Sequence, residues 1–186
     1  MLKKTLENLL KTALLPIGKT MYIYGGGWNE NDTGAGIEAM TLGIDPKWAE
    51  FAQKQDSSYN FKDYDYKQNK EYIHLGLDCS GYIGWLLYNI FQDKGYVDFS
   101  RKIANNLATE NKGKVKKAKY ITEYKAGDIM SGENVSHVWL SLGPCNDGSV
   151  VILHSSPSGV HISGTPTPKG IENSQAIDLA NKYMDK

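Results

Sequence analysis

Cysteine is scarce in this chain, with only Cys79 and Cys145 among 186 residues. Two cysteines cannot build a disulfide framework, and pairing them would silence whatever chemistry either thiol has, so both are read as free. Arginine is scarcer still: Arg101 is the only one among 21 basic residues, which argues against arginine-based phosphate recognition. No net charge remains at neutral pH, so neither nucleic acid nor an anionic membrane is an expected partner. CxxC and HExxH spacings are missing, and no metal or other cofactor is expected. No apolar run has transmembrane length. The early lysines and leucines look superficially like a signal peptide, but Glu7, Asn8 and Lys11 interrupt them and no small-residue cleavage site follows. An amphipathic helix ending near Pro16 and Gly18 is the better reading. Repeats and low-complexity linkers are missing too. A hydrophobic fraction of 40% is ample for one core, so residues 1–186 are read as a single domain.

What is present begins with Leu77-Asp78-Cys79-Ser80-Gly81-Tyr82. Downstream, Ile83, Leu86, Leu87, Ile90 and Phe91 follow the rhythm of a buried helix face. Asp78 suits the N-cap, which puts Cys79 in the first turn. The unpaired N–H groups and positive dipole end there favour a thiolate, the nucleophilic form. A nucleophile then needs a base.

Four histidines are available, and two fall in one predicted hairpin. Val138–Leu142 and Val150–Leu153 are β-rich runs flanking the turn-rich segment 143–148. Folding the chain about Cys145 and Asn146 sets His137 directly opposite His154, with Cβ atoms roughly 5 Å apart. A one-residue slip would send the pair to opposite faces. The set reads as Cys79 nucleophile, His137 base and His154 orienting residue. It needs no metal. His74, near Cys79 in sequence, is a competing base candidate.

These residues resemble the NlpC-type peptidases, papain-like cysteine enzymes that cut the stem peptides of bacterial cell-wall peptidoglycan. Four segments carry the likeness, from about residue 5 to about residue 165: Tyr22-Ile23-Tyr24-Gly25-Gly26, Leu77-Asp78-Cys79-Ser80-Gly81, Ala126-Gly127-Asp128-Ile129 leading to Ser136-His137-Val138, and Ile152-Leu153-His154-Ser155. The resemblance implies catalytic roles for Cys79, His137 and His154. It implies substrate contacts for Tyr22, Asp78 and Ser80: the Tyr22 hydroxyl toward an oxyanion, and Asp78 and Ser80 toward the free amine of a stem peptide. Helix capping is an alternative for Asp78 and Ser80, and packing for Tyr22. By resemblance the bond cut follows D-glutamate, between its γ-carboxyl and a diamino acid. Action outside the cell or in the wall on peptidoglycan or its fragments is implied, with cytoplasmic recycling of wall peptides as an alternative; a monomer is expected.

One departure is large. Residues Gly27 to Gly76 intervene between two motifs that typically lie close in sequence. Within this insertion Asp45-Pro46 reads as the start of a helix, and Tyr59, Tyr64, Tyr66 and Tyr72 suggest either a groove wall or plain packing. Lys112, Lys114, Lys116, Lys117 and Lys119 form a local basic run, read as a solvated face, with attraction to anionic wall polymers as the alternative. The expected architecture is α+β and papain-like: a helical N-terminal part, with the nucleophile at a helix N-terminus, packed on an antiparallel sheet from the C-terminal half. A closing helix is expected from Asn173 to Met184, with Ile177, Ala180, Tyr183 and Met184 on its apolar face. Rival readings are a CHAP-type N-acetylmuramoyl-L-alanine amidase, an acyltransferase on the same fold, and a catalytically silent wall-binding module.

Overall fold

The computed structural model describes residues 3–27, 38–96, 114, 116–117, 123–131 and 137–184. Arg101, Lys112, Lys119, Ser136 and positions 28–37 of the insertion lie outside them. Among the described residues, three α-helices precede a four-stranded antiparallel sheet and a fourth follows it. Helix α1 (Leu6–Leu14) starts at Thr5, whose hydroxyl accepts from the Asn8 N–H at 3.2 Å. Helix α2 (Pro46–Gln53) lies in the insertion and starts as expected, with Asp45 as N-cap and proline at the first position. Helix α3 (Cys79–Phe91) has Asp78 as its N-cap. The sheet runs β1 (Ile129–Ser131), β2 (Val138–Pro144), β3 (Val150–Ser156) and β4 (Gly159–Gly164), in that spatial order.

Helix α3 differs from the one-faced helix that its spacing predicts. Eleven of its thirteen residues are buried. A helix is apolar all round when every side has a neighbour, and α3 has several. The sheet covers one side through Val138, Leu140 and Leu153. On another side α1 is tied by Tyr82, whose hydroxyl donates to the Ala13 carbonyl at 2.8 Å. The insertion covers a third: Trp48 packs edge-on to Trp85, and Trp85 Nε1 donates to the Gly43 carbonyl at 2.9 Å. Asn89 completes that seam, accepting from Gly43 N–H and donating to the Thr41 carbonyl.

Helix α4 (Gln175–Met184) closes the fold against β4, near its expected bounds and with half of its expected face packed: Ala180 is buried and Ile177 half-buried. Ala176 and Ala180 are buried, whereas Tyr183 and Met184 are 61% and 43% exposed. Close backbone approach is the reason. A Cβ at Gly164 would come within 2.3 Å of the Ala176 backbone, so only small side chains fit the contact. No helix among the described residues is long and apolar enough to cross a membrane.

The hairpin forms with a different register. Around the site Leu140 pairs with Leu153 and Ser141 with Ile152, but nearer the turn Gly143 pairs with Val151 and Pro144 with Val150. Leu142 is therefore an extra residue, a bulge. Carrying the turn-side pairing onward without it would put His154 opposite Leu140, on the face packed against α3. The bulge returns His154 to the face shared with His137.

Candidate active site

The start of α3 is built almost entirely from buried groups. Asp78, Cys79 and Ser80 are 1%, 3% and 0% exposed. Asp78 Oδ1 accepts from the Gly81 N–H at 2.7 Å and from the Ser80 hydroxyl at 3.0 Å; its Oδ2 accepts from the Gly25 N–H at 3.3 Å. The carboxylate thus caps the helix and also pins the Gly25-Gly26 turn against it. These contacts give Asp78 a capping role and tie the Ser80 hydroxyl to the same carboxylate. Glycine is required where the turn crosses α3. A Cβ on Gly81 would lie 2.0 Å from the Gly26 carbonyl oxygen. Leu77 N–H donates to the Met21 carbonyl and Asp78 N–H to that of Gly26, which draws the tyrosine motif alongside the cysteine motif despite the intervening insertion.

At the Cys79 thiol, burial opposes the pull of the helix dipole. Burial pushes the thiol up to about 12, and the Asp78 carboxylate adds to this. The backbone N–H groups of Val138, Ser80 and Cys79 act the other way and lose. Desolvation outweighs the helix end because it acts on the full charge of the thiolate. The contribution of Val138 also locates the sulfur, beside the residue that follows His137.

His137 and His154 meet. His137 Nε2 lies 2.6 Å from His154 Nδ1, and the rings stand edge to face with centroids 5.0 Å apart. They are not directly opposed as expected. Continuing the observed register sets Trp139 across from His154, so the two histidines touch along the diagonal, which long side chains span. Their bond uses Nε2 of His137 and leaves Nδ1 for other work. Burial holds His137 below its usual range and takes His154 down to about 3, with His161 adding to both. Both imidazoles are therefore neutral at pH 7.

Two members of this cluster escape the sequence reading. His161 pairs directly with His154 across β3 and β4, with ring centroids 4.5 Å apart. Ser163 Oγ lies 2.9 Å from His154 Nε2. A signal for both exists in Ser156-Pro157-Ser158-Gly159, a turn that folds β4 back with His161 opposite His154.

The competing candidate, His74, is engaged elsewhere: its Nδ1 lies 3.0 Å from Glu38 Oε2 within the insertion. Tyr22 sits edge-on to Phe61, and its carbonyl accepts from the Tyr59 hydroxyl. Tyr24 stacks on Tyr66. Tyr59 and Tyr64 stack on each other, both meet Phe51, and Tyr64 also meets Tyr72. The insertion tyrosines are thus largely occupied in packing against one another and against the first motif. Lys114, Lys116 and Lys117 are exposed. Cys145 is half-buried in the hairpin turn, and it and Cys79 are free thiols. Among the described residues no group of three histidine, cysteine or acidic side chains converges to hold a metal ion.

Comparison with protein-family models, with curated proteins and with solved structures returned no match.

Proposed function

We propose that this chain is a papain-like cysteine peptidase of the NlpC type, cleaving peptidoglycan stem peptides at the D-γ-glutamyl–diamino acid bond. One observation carries the reading. A cysteine at a capped helix start lies beside β2, whose preceding residue is a histidine bonded to a second histidine. Chain order, Cys79 then His137 then His154, agrees with the resemblance.

The chemistry follows from the neutral resting pair. As the sulfur of Cys79 attacks the amide carbon, His137 Nδ1 takes the thiol proton and the imidazolium is steadied by His154. The tetrahedral oxyanion is met by the Cys79 backbone N–H, with the Tyr22 hydroxyl as a second donor. His137 returns the proton to the departing amine, leaving a thioester. Water, deprotonated by His137, then releases the acid and the free thiol. Enzymes of this type work outside the cell or in the wall, and that is the proposed setting. The proposed enzyme acts as a monomer and needs no cofactor.

The test is to incubate the purified chain with peptidoglycan and identify released fragments by mass spectrometry. Fragments split after D-glutamate support the reading. Freed intact stem peptides would mean an amidase, acyl transfer to an added amine a transferase, and binding without release a silent module.

A further inference from the structure

His154 can orient His137 only if something orients His154. We propose that Ser163 is that positioning residue: its hydroxyl accepts from the Nε2–H of His154 and so decides which nitrogen of His137 is left free as base. The inference rests on the Cys79–His137–His154 reading and deepens it.

Two hydrogen bonds run in series, Ser163 Oγ to His154 Nε2 at 2.9 Å and His154 Nδ1 to His137 Nε2 at 2.6 Å. A neutral imidazole carries one N–H, so the two bonds must point the same way. If Ser163 donates, His154 carries its proton on Nδ1 and donates to His137. His137 then holds its own proton on Nδ1, with no lone pair there for a thiol. If Ser163 accepts, His154 donates from Nε2 and accepts at Nδ1, and His137 Nδ1 is a free base. Only the second chain is productive.

The surroundings favour it. Ser163 is half-buried and borders an open cleft of about 730 Å³ between β4 and α4, where its hydroxyl proton can go to water. His161 does not compete, because its Nδ1 lies 3.0 Å from the Gly159 carbonyl oxygen, an acceptor that fixes its proton on Nδ1. What the serine supplies is thus a lone pair at the end of the chain. An acceptor without a proton should replace it.

The experiment uses the full chain with 15N-labelled histidine, since two-bond proton–nitrogen spectra distinguish the two tautomers. Wild type should show Nε2–H at both His154 and His137. Ser163→Ala should mix the tautomers and lower kcat on stem-peptide fragments about fivefold, the worth of one ordinary hydrogen bond, with KM little changed. Ser163→Asp, which only accepts, should keep the Nε2–H tautomer and recover most of kcat. Nδ1–H at His154 in wild type would overturn the proposal even if no variant folded. So would unchanged tautomers and kcat in Ser163→Ala. Should wild type show the stated tautomers but cut no peptidoglycan, the functional reading fails and the positioning role stands.

Discussion

The two halves of the site are held by different kinds of force. At the cysteine half the anchors are mostly backbone: an N-cap carboxylate, first-turn N–H groups and a glycine crossing that joins the two motifs, all sealed from water. At the histidine half the anchors are side chains from β3, β4 and the residue preceding β2, half-buried and linked in series on the sheet face away from α3. The first half is fixed by steric exclusion and resists small chemical changes but not added atoms. The second tolerates added atoms and is sensitive to the loss or gain of a proton. Burial disfavours charge in both halves, pushing the thiol up to about 12 and the His154 imidazole down to about 3.

The largest effect expected from breaking this contrast is at the nucleophile. Cys79→Ala should abolish hydrolysis, a loss of about 10³-fold or more, with an unchanged melting temperature. Cys145→Ala, in the hairpin turn, should leave turnover alone. Equal loss in both, measured on peptidoglycan fragments, would remove Cys79 from its role. Next in size come the histidines. His137→Ala removes the proton acceptor and should approach the Cys79→Ala loss. His154→Ala removes orientation only, and a loss of up to about 10⁴-fold is expected, still smaller than that at His137. Wild-type turnover in His154→Ala would show that the 2.6 Å bond is structural.

The glycine crossing sharpens the contrast from the stability side. Gly81→Ala directs a Cβ at the Gly26 carbonyl, and both partners are backbone, so neither can swing away. A cost of about 3 kcal/mol is expected, at the upper end for overpacking, read from urea unfolding. A loss below about 1 kcal/mol would mean that the Gly-Gly turn is loosely seated. On the histidine half an added methyl group, as in Ser163→Thr, should cost far less.

The same division governs how much could be read from the sequence. The cap at Asp78, the helix after it, the strands of the hairpin and the α2 start at Asp45-Pro46 all rest on neighbouring residues, and each is where it was expected. The relation of His137 to His154 depends instead on the bulge at Leu142, which exists only once two strands pair. His161 and Ser163 needed a third strand. The opposition of burial and helix dipole at the thiol has a related origin. A helix end is visible in sequence, whereas burial by the sheet and α1 is a property of the assembled core. That antiparallel sheet and its helices were legible as α+β; the all-round burial of α3 was not, because the insertion that covers one side gives no sign in sequence of where it docks.

Acid should separate the halves more gently. Unfolded histidine titrates near 6.5, whereas folded His154 is held to about 3 and His137 is also lowered. The unfolded chain therefore takes up protons that the folded site refuses as pH falls below 6.5. Stability is untouched above that pH and declines progressively toward 3. His154→Asn should flatten this part of the curve in thermal melts from pH 7 to 4, while Cys79→Ala should not. Parallel curves for wild type and His154→Asn would show that His154 is solvated after all.

The smallest effect tests whether the insertion belongs to either half. Tyr59 lies in the cluster with Phe51 and Tyr64, and its hydroxyl donates to the Tyr22 carbonyl in the first motif. Burial raises its phenol above the ordinary range, so it is a donor at neutral pH. Tyr59→Phe keeps the ring packing and removes only that bond. About 1 kcal/mol of stability should be lost, with kcat/KM almost unchanged, because the hydroxyl is spent on a main-chain carbonyl and not on substrate. Tyr64→Ala should destabilise more, since its ring meets three others. A groove wall would behave in the opposite way: Tyr59→Phe would lower kcat/KM on peptidoglycan fragments while the melting temperature held. Kinetics and melts on the one variant decide between them, and the ring contacts favour packing.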